Sequence, residues 1–277
     1  MTMLPTRRRL VPVTLVLLMG GFILPAYGVL GPDTQPTLPD FSAAVFDNPL
    51  DINNPFFPLV PGTTNTYHAV TTDPETGETE TETIVVEVLH GTRTVAGIET
   101  RIVRDRVSIE GLVIEDTFDW YAQDNAGNVW YMGEDVTDFE YDDKGNLIGT
   151  SHPGAWETGV DGALPGYIME ANPQVDDHYY QEFYPAGEAV DEGKVLGVGE
   201  TLTIPIGTFE NVLRTLDLSI DRSTFAHKFF APGVGTIAEQ EFLTETGQLI
   251  ESVNLVPEPA CGLILAWGAI GLFTRRR

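Results

Sequence analysis

Turn chemistry constrains this chain more than any other feature of its sequence. Four stretches share one form: Asp73-Pro74-Glu75-Thr76-Gly77, Asp124-Asn125-Ala126-Gly127-Asn128, Asp142-Asp143-Lys144-Gly145-Asn146 and Thr244-Glu245-Thr246-Gly247-Gln248. Each starts with a turn-forming side chain and has glycine near its end, free to take positive φ, which is the chemistry of a short β-hairpin loop. Strand-like segments rich in β-branched and aromatic residues lie between and around them: 63–70, 81–89, 98–109, 112–123, 129–132, 139–141, 147–150, 179–184, 201–206, 209–218, 224–231, 235–243 and 248–255. No helical period of 12 residues stands out within 29–256. The loop-rich stretch 153–174 reads as a crossing between sheet regions. The expected fold class is all-β, mainly an antiparallel meander.

The two ends read as targeting signals. Arg7, Arg8 and Arg9 precede an apolar run over 10–24, and Ala26-Tyr27-Gly28 offers the small residues a signal peptidase reads. We expect a signal peptide over 1–28 and an extended, Pro- and Asp-rich lead-in over 29–53. The β domain should then occupy 54–255. At 256–277 the chain reads Val256-Pro257-Glu258-Pro259, then an apolar run to Phe273, Thr274 and Arg275, Arg276 and Arg277. The 14 residues 260–273 would make a helix of roughly 21 Å, short of the ~30 Å hydrocarbon core, so the arginines would snorkel, on the cytoplasmic side. The prolines keep such a helix from extending backwards. This tail resembles the PEP-CTERM sorting signal. The resemblance implies recognition by an exosortase-type processing enzyme, and a short C-terminal transmembrane helix that anchors the chain, at first, in the inner membrane.

Charge narrows the partners. Between 29 and 256, nine basic residues stand against 40 acidic ones. Nucleic acid binding needs basic patches and is excluded. An acidic surface suits an exported protein that repels anionic polymers or meets them through divalent cations. The single cysteine, Cys261, sits in the tail, so the β domain has no disulfide and must hold together by burial.

One hairpin offers a candidate site. A two-residue turn at Glu110-Gly111 pairs Val107 with Ile114, Arg106 with Glu115 and Val103 with Phe118. The same register sets Asp105 opposite Asp116, both on an apolar face. Two like charges there would share a cation such as Ca²⁺, share a proton, or be satisfied by donors from elsewhere. The loops at 124–128 and 142–146 look like partial calcium loops but lack EF-hand spacing. Trp120, Trp130 and Trp156 are candidates for stacking on sugar rings, set against core packing. The five histidines form no zinc pattern, and the domain holds no serine elbow, phosphate loop or thiol nucleophile.

The middle of the chain resembles a group of uncharacterised exported bacterial β-sheet proteins, over about 54–255. The resemblance rests on Asn54-Pro55-Phe56-Phe57-Pro58-Leu59-Val60-Pro61-Gly62-Thr63, Arg104-Asp105-Arg106-Val107 and Glu115-Asp116-Thr117-Phe118-Asp119-Trp120-Tyr121. It also rests on Gly127-Asn128-Val129-Trp130-Tyr131, Pro205-Ile206-Gly207-Thr208-Phe209 and Phe229-Phe230-Ala231-Pro232-Gly233-Val234-Gly235. It implies a strongly curved, half-barrel-like sheet and carries no activity. The expected function is that of a non-enzymatic protein of the cell surface or extracellular polysaccharide matrix. A lipid- or glycan-binding module and a carboxylate-dependent hydrolase are the alternatives. A continuous apolar concave face would mark the lipid binder, exposed coplanar aromatics the glycan binder, and a wet cleft with two carboxylates the hydrolase.

Overall fold

A computed structural model describes residues 35–142, 144–218 and 222–256. The leader 1–28, the motif residues Pro257, Glu258 and Pro259, and the arginines 275–277 lie outside the described residues. Among the described residues no helix is long and apolar enough to cross a membrane.

The chain is all-β. Its strands are β1 (Thr64–Thr72), β2 (Thr79–Val95), β3 (Ile98–Ile109), β4 (Leu112–Gln123), β5 (Val129–Tyr141), β6 (Leu147–Ser151) and β7 (Trp156–Glu157). Then follow β8 (Leu164–Met169), β9 (His178–Tyr184), β10 (Ala189–Ile204), β11 (Gly207–Leu218), β12 (Thr224–Ala231), β13 (Gly235–Leu243) and β14 (Leu249–Val256). All strand pairings are antiparallel, and they run β4-β3-β2-β1-β14-β13-β12-β11-β10-β9-β8-β5, with β4 also paired to β5. The curved sheet therefore closes into a ring of these strands rather than stopping at a half-barrel. β6 and β7 lie outside the ring, on the edge of β5 that β8 leaves free.

The turn loops behave as their composition requires. Gly77, Gly127, Gly145 and Gly247 take φ between 65° and 95°. Glu110 and Gly111 both take positive φ, as a two-residue hairpin turn of the primed type demands. Two expectations change. The segments at 129–132 and 139–141 are one strand, β5. The crossing at 153–174 contains β7 and β8, and β8 supplies the ring's closing seam.

The lead-in, described from residue 35, carries a short 3-10 turn at Phe41–Ala43 and is not detached. Thr37 bridges to Tyr179 of β9, and Phe41 and Phe46 pack edge-on against Trp130. The chain then crosses one end of the ring as a strap. Asn54 is buried and donates to the carbonyls of Gly127 and Glu170. The Gly233 amide donates to the Pro55 carbonyl at 2.7 Å, on the far side of the ring. Gly62 and Thr63 bond the backbone of Val88. Between these ties Phe56, Phe57 and Leu59 pack into the interior, with Phe57 edge-on to Tyr121 at 5.2 Å.

Candidate functional site

Period-two alternation decides what faces the interior of the ring. Reading the registers across β2 to β5 puts Val86, Asp105, Thr117 and Val136 in one inward row. Val103, Asp119 and Glu134 form a second row, and Val107, Glu115 and Asp138 a third. On the other wall, Glu182 pairs with Asp191, Gly193 with Asp217, and Thr215, Lys228 and Glu239 follow one another. The strapped end of the interior is apolar and aromatic. Beyond it lies a belt of carboxylates with Lys228 among them.

At the centre of this belt the Tyr131 hydroxyl lies 2.7 Å from Asp119 Oδ1 and 2.8 Å from Glu134 Oε2. A phenol has one proton to donate. It can donate to one carboxylate, and the other carboxyl must carry a proton and donate to the phenol oxygen. The geometry thus calls for a shared proton, and the surroundings favour it. Burial pushes Asp119 up to about 7, against the opposing hydrogen bond from Tyr131. Burial and the neighbouring charge of Asp119 push Glu134 up to about 8. Burial, then the charges of Asp119 and Glu115, push Asp105 to about 8, and its Oδ1 has no hydrogen-bond partner. Glu182 is 6% exposed. Burial and the charges of Asp191 and Glu134 hold it well above the carboxylate range, against the opposing influence of the Trp156 indole. Buried carboxylates short of cations keep protons because ionisation in a poorly solvated space is costly.

Lys228 supplies positive charge to this belt. Its Nζ is 3.0 Å from Asp217 Oδ2, which also accepts from Gln181 at 3.1 Å. Thr215 donates to the other Asp217 oxygen at 2.8 Å. Burial alone would lower the lysine's pKa, but Asp217 and Glu239 outweigh it and raise it above the usual value.

The expected Asp105–Asp116 pair does not form. A β-bulge between Val107 and Ser108 shifts the hairpin by one residue, so Arg106 faces Asp116, Asp105 faces Thr117 and Val103 faces Asp119. Asp105 points inward and Asp116 outward, which ends the idea of one cation or proton between them. The bulge replaces a carboxylate clash with ion pairs. Arg104 grips both oxygens of Asp116 at 2.7 and 2.6 Å, and Arg106 reaches Glu87 at 2.8 Å. Asp105 still meets carboxylates across the hairpin, but they are Asp119 and Glu115.

The three tryptophans are not a stacking platform. Trp120, Trp130 and Trp156 are 4%, 1% and 4% exposed. The Arg93 guanidinium lies 4.0 Å over Trp120, the lead-in phenylalanines cover Trp130, and Trp156 packs edge-on to Tyr131. The partial calcium loops are ordinary turns. Asp124 accepts from the Asn128 amide and the Trp130 indole, and Asp142 accepts from the amides of Lys144 and Asn146. Among the described residues no three His, Cys, Asp or Glu side chains are placed to hold a metal ion. Val256, the last described residue, lies on β14 and pairs with Thr66.

The concave face is apolar at one end only and crossed by acids, which does not suit a lipid tail. The carboxyl pair bridged by the Tyr131 hydroxyl, Asp119 and Glu134, lies inside the ring. Two surface depressions lie elsewhere. One, of about 260 Å³, is lined by Thr92, Arg93, Ile102, Phe118, Trp120 and Asp135. The other, of about 380 Å³, is polar and gathers Asp47, Asp51, Gln123 and Asp124.

Sequence reasoning reached Asp105 but missed Asp119, Glu134, Glu182 and Lys228. The signal was present: Glu115, Thr117 and Asp119 occupy one alternating face of β4 with Tyr121. Only closure of the ring shows that this face is internal.

No protein-family model and no curated protein matches the chain. The solved structures that match include two from bacteria. One, from Bacteroides fragilis, is provisionally described as an exported protein with a YmcC-like fold; it is 15% identical, with 72% of this chain and 96% of that one covered and a TM-score of 0.38. The other, from Parabacteroides distasonis, is provisionally described as a lipoprotein; it is 11% identical, with the same coverage and TM-score. Likeness of this degree carries no conclusion about what this chain does.

Proposed function

We propose that this chain is an exported, envelope-associated acidic β-ring protein that acts without catalysis at the cell surface or in the extracellular polysaccharide matrix. The leader delivers it. The PEP-CTERM-like tail, Val256-Pro257-Glu258-Pro259 through Arg277, anchors it in the inner membrane as a helix and presents it to an exosortase-type enzyme. The observation that carries the non-enzymatic reading is the inward placement of its chemistry. Asp119, Glu134 and Glu182 face the interior of a ring strapped by 54–63, while Trp120, Trp130 and Trp156 are buried.

Cell fractionation tests the sorting. The full chain should be found with the envelope, and a chain ending at Val256 should pass into the medium. Equal distribution of the two would remove the tail from the proposal. Incubation with exported polysaccharide tests the rest: no new reducing ends should form. Their release would move the assignment to a carboxylate-dependent hydrolase. A glycan-binding reading has one observation in its favour, the outer depression in which Arg93 caps Trp120. There a sugar ring would take the place of the guanidinium.

A further inference from the structure

The ring is not equally strong around its circumference. β2 and β3, or β10 and β11, share long ladders. β8 closes the ring with three Cα partners on β5 and two on β9. One of those two is Pro165, which has no amide proton to give to the ladder. Glu182 is its partner on β9. On β5, three residues past the last β8 pairing and opposite Trp156 of β7, Glu134 extends towards Tyr131 and Asp119. Acidic side chains that feel each other's charge therefore stand on both sides of the ring's shortest closure.

We propose that Asp119, Tyr131, Glu134 and Glu182 form a proton-operated latch on the β5–β8–β9 seam, closed while the carboxyls hold their protons and released when they ionise. The Tyr131 contacts need one proton between Asp119 and Glu134. Glu182 is buried, and the Trp156 indole beside it, the one donor that favours its charged form, is outweighed by burial and by the charges of Asp191 and Glu134. Once these groups ionise, like charges face each other across a strand held by five residue pairings. The groups facing the latch do not cancel this charge. Asp105 comes from β3, Glu115 and Tyr121 from β4, and Asp191 from β10. Lys228 of β12 is the cation that acts on Asp119, and it is already held by Asp217. The direction of the shifts agrees: burial raises all three latch carboxyls, so they take up protons as the ring closes.

Hydrogen exchange of the full chain in detergent tests the latch, with exchange times scaled for the intrinsic pH dependence. Peptides covering 164–169 and 178–184 report the seam, and 224–243 report the opposite wall. Between pH 6 and pH 9, seam protection should fall at least tenfold while the opposite wall keeps its protection. Glu134→Gln with Asp119→Asn keeps hydrogen-bonding side chains that cannot ionise, and the seam should lose most of its pH dependence, with Glu182 alone left to ionise. If that variant does not fold, the wild-type contrast between seam and wall decides. Equal loss at both places, whether slight or by global unfolding, overturns the latch. So does a folded double variant that keeps the full pH dependence.

Discussion

Lys228 offers a sharp test of how the acidic interior is held together. Replacing it by methionine keeps most of the side-chain volume and removes the ammonium beside Asp217. Asp217 is buried, and its bonds to Gln181 and Thr215 do not replace a full charge. Breaking a buried ion pair from one side costs about 3–5 kcal/mol. Lys228 retains 30% of its side-chain surface, so the lower end, about 3 kcal/mol, is the appropriate figure. For a domain of this size each kcal/mol moves the melting temperature by about 2–4 °C, so Lys228→Met should melt about 6–12 °C lower at pH 7.5. Adding Asp217→Asn removes the stranded charge while Gln181 and Thr215 keep a partner. That double variant should recover at least about half of the loss, a coupling of about 1.5 kcal/mol or more in a double-mutant cycle. The cost of Lys228→Met should shrink as pH falls, because burial pushes Glu239 upward and favours its neutral form. A melting point within about 2 °C of wild type at pH 7.5, or a double variant no more stable than the single one, would refute this account of the belt.

Other outcomes follow from the same interior and its bulges. The wild-type ring should lose stability as pH rises: Asp119 holds its proton up to about 7 in the fold, whereas an exposed aspartate releases it near 4, so the folded state binds the extra proton between these values. Urea melts should give a slope of about −1.4 kcal/mol per pH unit for each such proton between pH 5 and 7, and a flat or rising profile would contradict the shared-proton geometry. Gly133→Ala should cost about 2–4 kcal/mol in denaturant melts, since a Cβ there would sit 2.5 Å from the Trp156 carbonyl at a φ of 138°, and a neutral result would mean that β7 is not packed on β5 as described. Millimolar Ca²⁺ should leave the melting temperature within about 1 °C, because the Asp124 and Asp142 carboxylates are engaged by turn donors and Asp105 and Asp116 lie on opposite faces; a clear rise would show a cation site.

The boundaries of β3, β4, β12 and β13 were legible because turn residues mark both ends of each. Their register was not. The bulge at Val107 and Ser108 leaves no mark in Ser108-Ile109-Glu110-Gly111, and it reverses which face Asp116 occupies. β8 and the first half of β10 were missed for another reason. Leu164-Pro165-Gly166 and the glycines at 193, 197 and 199 look like loop, yet a Cβ at Gly166 would collide with the backbone of Tyr180, and Gly193 lies close under the Tyr179 ring. Here glycine serves close approach within a sheet rather than a turn. The burial of the tryptophans was hidden too. The bulge turns Trp120 to the outer face, opposite Asp119, and covering that face depends on Arg93, Phe41 and Phe46, which come from separate parts of the chain.

The pairing of β1 with β14 sets an order on folding. The first strand to emerge from an export channel must wait for the last before it has its second neighbour. Until then the nascent sheet has free edges at β1 and at whichever strand came last. The strap waits nearly as long, because Pro55 is tied to Gly233 in the β12–β13 turn. Contacts so distant in sequence form slowly, since the intervening chain must first lose its freedom. A tail that keeps the chain's end at the membrane would hold β14 in place during that delay. Closure would then come from the β1 side, with 54–63 laid across the finished ring as the final step.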